Sequence, residues 1–243
     1  MRKLFGVITV IAILLAFTSL LLGSREQPSD VPPSYSPSVH SPQESYGEAR
    51  QPIESNAPAP LPNTQDTDIL LVNAWNPLPD DFIAGELLTL FNYKDRQFGL
   101  AGSDIRLDKA VYEAADAMFA AARKDGVESF ILASGYRSRE KQTELFDGRT
   151  DGTAARPGHS EHETGLAFDV TVIESENGFD TTPQFEWLSQ NCWDYGFILR
   201  YPKGKEDITG IPYEPWHYRY VGLPHSQAIR DQKLTLEEYL EKS

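Results

Sequence analysis

The run Gly158-His159-Ser160-Glu161-His162-Glu163-Thr164-Gly165-Leu166-Ala167-Phe168-Asp169-Val170 constrains this chain more than any other. Two of the chain's five histidines stand in it, with two glutamates and an aspartate. The helical zinc motif His-Glu-x-x-His does not fit, because His162-Glu163-Thr164-Gly165 continues into Leu166 and carries a glycine inside. A different arrangement does fit. His162 stands in a loop, Gly165 turns the backbone, and Asp169 stands inside a following strand from Leu166 to Val172. Ala167 keeps the face it shares with Asp169 uncrowded. One His and one Asp can then meet at a metal.

A catalytic zinc takes three protein ligands and leaves a position open. The third ligand must come from elsewhere, and the best candidate is His217, within Tyr213-Glu214-Pro215-Trp216-His217-Tyr218-Arg219. Glu214 precedes it by three residues. A strand would put the two on opposite faces, whereas Pro215 argues for a turn that brings both to one site. Glu214 is then placed to accept a proton from water and return it to a leaving amine. Taken singly, a buried His or Asp is more often a satisfied structural group; here two separate segments each supply a His and a carboxylate. His159 and His225 read as ordinary polar residues, the latter at a helix start. Glu161 and Glu163 suit a metal by composition, but as neighbours of a ligand they read as solvated.

The rest of the folded part alternates short strands and helices without repeated βαβ units. Strands are expected at Ile69–Asn73, Ser129–Ser134, Phe197–Tyr201 and Trp216–Val221. Helices are expected at Leu107–Lys124, Arg139–Phe146, Phe185–Tyr195, Pro224–Asp231 and Thr235–Glu241. This pattern predicts an α+β fold, a small mostly antiparallel sheet flanked by helices.

Three regions follow from the composition along the chain. Arg2 and Lys3 precede an apolar run from Leu4 to Leu22, long enough to cross a bilayer as a helix of about 20 residues. Residues 1–23 therefore read as a signal anchor in the cytoplasmic membrane with the rest exported, the alternative being a cleaved secretory signal. Residues 24–66, rich in Pro, Ser, Gln and Asn, read as a disordered, semi-stiff spacer. Residues 67–243 form the extracytoplasmic domain. The net charge of −14 and the lack of a basic stripe exclude nucleic acid as a partner. The single cysteine, Cys192, excludes an internal disulfide and reads as a small buried apolar residue.

Ser160-x-His162-x-x-Gly165-x-Ala167-x-Asp169, Glu214-x-Trp216-His217 and Ser134-Gly135-Tyr136-Arg137-Ser138 together resemble the signatures of bacterial cell-wall zinc peptidases, with VanY-type D-alanyl-D-alanine carboxypeptidases the closest fit. The resemblance runs from about Ile69 to the C-terminus. It implies Zn²⁺ held by His162, Asp169 and His217, with Glu214 as general base and then acid. It also implies Arg137 at the scissile carbonyl, and Ser160, Tyr136, Gln142 and Trp216 around the bound peptide. Arg200 and Arg219 are additional candidates for holding either the scissile carbonyl or the substrate carboxylate. Taken alone, Arg137 reads as a surface ion pair, and Tyr136 and Trp216 read as core packing. The implied substrate is the peptidoglycan stem pentapeptide, trimmed by one D-alanine. An L,D-carboxypeptidase acting on tetrapeptide stems would carry the same metal site. A non-catalytic wall-binding domain would retain a structural metal, but closed structural sites usually have four protein ligands. The polar stretch Gly148–Thr153 is expected to be a connector near the cleft.

Overall fold

The computed structural model describes residues 69–148, 154–173 and 178–242. The apolar N-terminal run, the Pro/Ser-rich stretch and the polar residues 149–153 lie outside the described residues.

Five strands make the main sheet: β2 (Gly99–Leu100), β4 (Ile131–Ser134), β5 (Ala167–Thr171), β7 (His217–Tyr220) and β6 (Phe197–Leu199), in the order β2-β4-β5-β7-β6. The β2–β4 pair is parallel and the other three pairs are antiparallel. A second, two-stranded sheet pairs β1 (Leu87–Thr89) with β3 (Arg106–Asp108). The fold is α+β, as its sequence pattern predicts.

The longest helix among the described residues, α1 (Lys109–Lys124), forms because apolar residues recur at the helical period, and it starts where Asp108 caps the Ala110 N–H at 2.9 Å. Its buried face, which includes Val111, Ala115, Met118, Phe119 and Ala122, packs on the sheet. The Phe119 ring lies 4.7 Å from Phe130 and 6.1 Å from Phe168. Each such fully buried large apolar side chain contributes roughly 1.5–3 kcal/mol relative to exposure. That layer makes the central strands β4, β5 and β7 a firm base for what projects from their other side.

The other α-helices among the described residues are short: α2 (Arg139–Gly148), α3 (Pro183–Asn191), α4 (Glu206–Thr209), α5 (His225–Gln232) and α6 (Leu236–Leu240). The helix expected through Tyr195 ends earlier, with a 3-10 turn over Cys192–Tyr195 closed by Gly196 at φ 82°. Leu107 belongs to β3, so α1 begins two residues later than expected. The expected strand Ile69–Asn73 does not form. The Leu70 carbonyl accepts instead from the Arg219 guanidinium at 2.7 Å, a side-chain partner in place of a strand neighbour. Cys192 is fully buried, and burial pushes its thiol well above the usual range, which fits an unreactive packing residue.

Candidate metal centre

The run at 158–170 folds as a 3-10 turn over Glu161–Thr164 that Gly165 stops at φ 77°. The turn presents the His162 ring, and β5 then presents Asp169. In the β5–β7 ladder Asp169 stands directly opposite His217, so two residues 48 apart in sequence become cross-strand neighbours. His162 Nε2 lies 3.3 Å from Asp169 Oδ2, and His217 Nδ1 lies 3.0 Å from Asp169 Oδ1. One donor atom from each of the three residues falls within 4.8 Å of the others. Two imidazoles and a carboxylate suit zinc chemically.

The nitrogens facing away from this point are also held. His162 Nδ1 lies 2.8 Å from the Gly135 carbonyl, and His217 Nε2 lies 3.3 Å from Glu161 Oε2. Burial alone would raise the Asp169 carboxyl, but the attraction and hydrogen bonds of the two histidines overcome it and hold that group well below the usual carboxylate range. Burial alone would lower the His217 imidazole; the hydrogen bonds its ring nitrogens donate to Asp169 and Glu161, with the negative charge of both, reverse this and push it up to about 9.

Glu214 precedes β7 across a turn at Pro215 and Trp216, and its amide donates to the Tyr201 carbonyl at 3.1 Å. Its carboxylate Oε2 lies 3.8 Å from His217 Nδ1, beside the donor set without joining it. Burial raises the Glu214 carboxyl, Asp169 and Glu161 raise it further, and His217 opposes them. A carboxyl shifted this way accepts a proton more readily than an ordinary glutamate.

A pocket of about 210 Å³ opens over these groups. Arg137, Gln142, Ser160, Glu214 and Trp216 line it along with the three donors. The Arg137 guanidinium is aimed by two bonds, Nη1 to Gln142 Oε1 at 2.8 Å and Nη2 to Ser134 Oγ at 3.2 Å. Gln142 is in turn fixed by donating to the Ala155 carbonyl at 2.6 Å. Trp216 is 41% exposed, so it is a wall of the pocket and not core packing. Tyr136 is placed differently: it lines the adjoining groove, with the Arg106 guanidinium 4.7 Å above its ring.

Three readings need correction. Arg200 and Arg219 do not reach the pocket; both are fully buried and bond to Glu161 Oε1, at 2.7 and 2.9 Å. Glu161 is therefore not solvated, and its position behind His217 was missed. The signal for it was two arginines inside otherwise apolar strand segments, each of which demands a buried anion. Glu163 is buried too, bonded to Arg139 Nε at 2.6 Å and to the Gly158 N–H at 2.7 Å.

A family model described as "VanY: D-alanyl-D-alanine carboxypeptidase" matches residues 104–223. The D-alanyl-D-alanine carboxypeptidase of Enterococcus faecium is 38% identical over 176 residues, 72% of this chain and 57% of that protein. The chain thus spans little more than half of that relative's length. Among solved structures, a variant of the vancomycin resistance D,D-pentapeptidase VanY in complex with Zn(II) matches with a TM-score of 0.58 and 38% identity, covering 71% of this chain and 98% of that one. The LdcB LD-carboxypeptidase matches with a TM-score of 0.63 and 38% identity, covering 71% of this chain and 85% of that one.

Proposed function

Because the chain belongs to the VanY family of D-alanyl-D-alanine carboxypeptidases, we propose that it is a zinc-dependent D,D-carboxypeptidase that removes the terminal D-alanine from peptidoglycan stem pentapeptides. The observation that carries this reading is Glu214: a partly buried carboxylate with a raised affinity for protons, 3.8 Å from a ligand histidine but outside the ligand set. A structural metal site has no use for such a group.

His162, Asp169 and His217 would hold the zinc, which supplies Lewis-acid chemistry by acidifying a water and polarising the scissile carbonyl. Glu214 takes a proton from the attacking water as its oxygen bonds to the carbonyl carbon. As the C–N bond breaks, Glu214 passes that proton to the amine nitrogen of the departing D-alanine. Arg137, held in its fork by Gln142 and Ser134, offers N–H donors to the oxygen on which negative charge grows. Ser160 and Trp216 bound the space in which the peptide end is oriented.

The N-terminal apolar run supports a further part of the proposal. It anchors the chain in the cytoplasmic membrane, and the spacer carries the peptidase domain outward to its substrate.

The test incubates the full chain, purified in mild detergent with zinc, with a pentapeptide stem ending D-Ala-D-Ala and separately with a tetrapeptide stem. Chelator-sensitive loss of one alanine from the pentapeptide is the expected result. Cleavage of the tetrapeptide alone would replace this reading with an L,D-carboxypeptidase, which the likeness to LdcB keeps in play.

A further inference from the structure

Both candidate ligand histidines are braced on their outer nitrogens, but not alike. His162 leans on a neutral backbone carbonyl, that of Gly135. His217 leans on a carboxylate, Glu161, whose side chain has no exposed surface. That carboxylate is itself fixed: its Oε1 accepts from Arg200 Nε and Arg219 Nη1, leaving Oε2 to face His217. Arg200 continues through a two-bond fork to Glu237 on α6, at 2.6 and 2.8 Å, and Asn73 donates to the same Glu237 at 3.1 Å. Arg219 donates onward to the Leu70 carbonyl. Two guanidinium and two carboxylate groups thus form a buried assembly whose charges cancel, and it touches the candidate metal centre at one point, His217 Nε2.

We propose that Glu161 is a positioning residue for the metal. It takes the Nε2 proton of His217 in a hydrogen bond and so keeps Nδ1 free and aimed at the ion. This rests on the zinc reading above. A ligating histidine whose other nitrogen donates to a carboxylate is fixed in tautomer and ring orientation and is made more basic. Both guanidiniums occupy the far oxygen of Glu161, so the near oxygen cannot rotate away.

The geometry makes a specific substitution informative. In E161Q the amide oxygen is held by Arg200 and Arg219, which turns the amide nitrogen toward His217. A donor then faces the Nε2–H donor, and the orientation needed for ligation is opposed. Zinc affinity of the full chain in detergent, measured by competition with a chromophoric chelator, is expected to weaken by about 10- to 100-fold. The comparison variant is E163Q. Glu163 is also buried and ion-paired, and its carboxylate bonds Arg139 and the Gly158 N–H rather than a histidine ring. E163Q should destabilise the fold and leave zinc affinity unchanged. Equal affinity in E161Q and the wild type, or equal losses in the two variants, would overturn the proposal. If E161Q does not fold, nitrogen NMR of the zinc-loaded wild type decides. A proton on His217 Nε2 and a metal-shifted Nδ1 support the assignment, and a metal-shifted Nε2 refutes it. A wild-type chain that binds no zinc removes the metal reading itself, and this one with it.

Discussion

Asp169 and His217 face each other as a direct cross-strand pair of β5 and β7, with Oδ1 and Nδ1 3.0 Å apart. The ladder that holds the sheet together therefore also sets the spacing of two of the three candidate ligands. Asp169→Asn keeps the shape and removes the charge that both histidines attract. Zinc affinity should fall by more than the about 100-fold typical of outer partners, as read by chelator competition. A smaller loss would mean that the carboxylate supports the histidines without binding the ion.

Glu214→Gln should separate chemistry from metal binding. The amide cannot accept the water proton, so kcat on a pentapeptide should drop by about 10²- to 10⁴-fold. Zinc content should stay at the wild-type level, as measured by atomic absorption on the same preparation. Loss of zinc along with activity would place Glu214 in the ligand set.

Arg137→Lys keeps the charge but not the fork that bonds Gln142 and Ser134 together. The expected result is a fall in kcat/KM of about 10²-fold, the scale of one lost donor to a developing oxyanion, with zinc affinity preserved. Activity close to wild type would show that a point charge suffices there.

Gly165→Ala tests the turn that delivers His162 and Asp169 together. The residue sits at φ 77°, and a Cβ would come within 2.8 Å of Leu87 Cδ2. The Leu87 tip can give way, so the main cost is the backbone conformation, about 1–3 kcal/mol. A shift of the denaturant midpoint at unchanged slope would report it. No shift would mean that the turn tolerates a side chain.

Glu237→Gln predicts a pH-dependent stability difference. Burial works to raise the Glu237 carboxyl, but its bonds with Arg200 and Asn73 prevail and hold it below the ordinary value. Its contribution is then fully present above the unfolded pKa of about 4.3 and fades as pH falls through the lower folded value. The wild type should exceed E237Q by about 3 kcal/mol at pH 7, and the gap should narrow below about pH 4. Denaturant titrations at the two pH values check this, and a constant gap would contradict it.

Much of the framework could be read in the sequence because periodicity marks it. The α1 face, the glycine stop at Gly196, and the runs that became β4, β5, β6 and β7 each carry several apolar residues at one spacing. β1, β2 and β3 were not legible: each has only two or three residues, and none sits in a longer apolar run after a glycine stop such as the Phe197–Tyr201 run that marks β6. His162, Asp169, His217 and Glu214 could be grouped because loop, strand and turn signals constrained where each could point. Glu161 could not. Its role depends on Arg200 and Arg219 arriving from two other strand segments, and that convergence exists only after the sheet has formed.

The order of the main sheet also bears on which parts of the molecule can open without loss of metal binding. β5 and β7 are interior strands, and the edges are β2 and β6, with two and three residues. Short edge strands fray at little cost, while interior pairs exchange their amide protons only in larger openings. Fluctuations that release β2 leave the Asp169–His217 pairing closed. Hydrogen exchange should accordingly find the slowest amides of the sheet on the two strands that carry these ligands, and competence to hold the ion should outlast fraying at the edge and vanish with the cooperative unfolding of the domain.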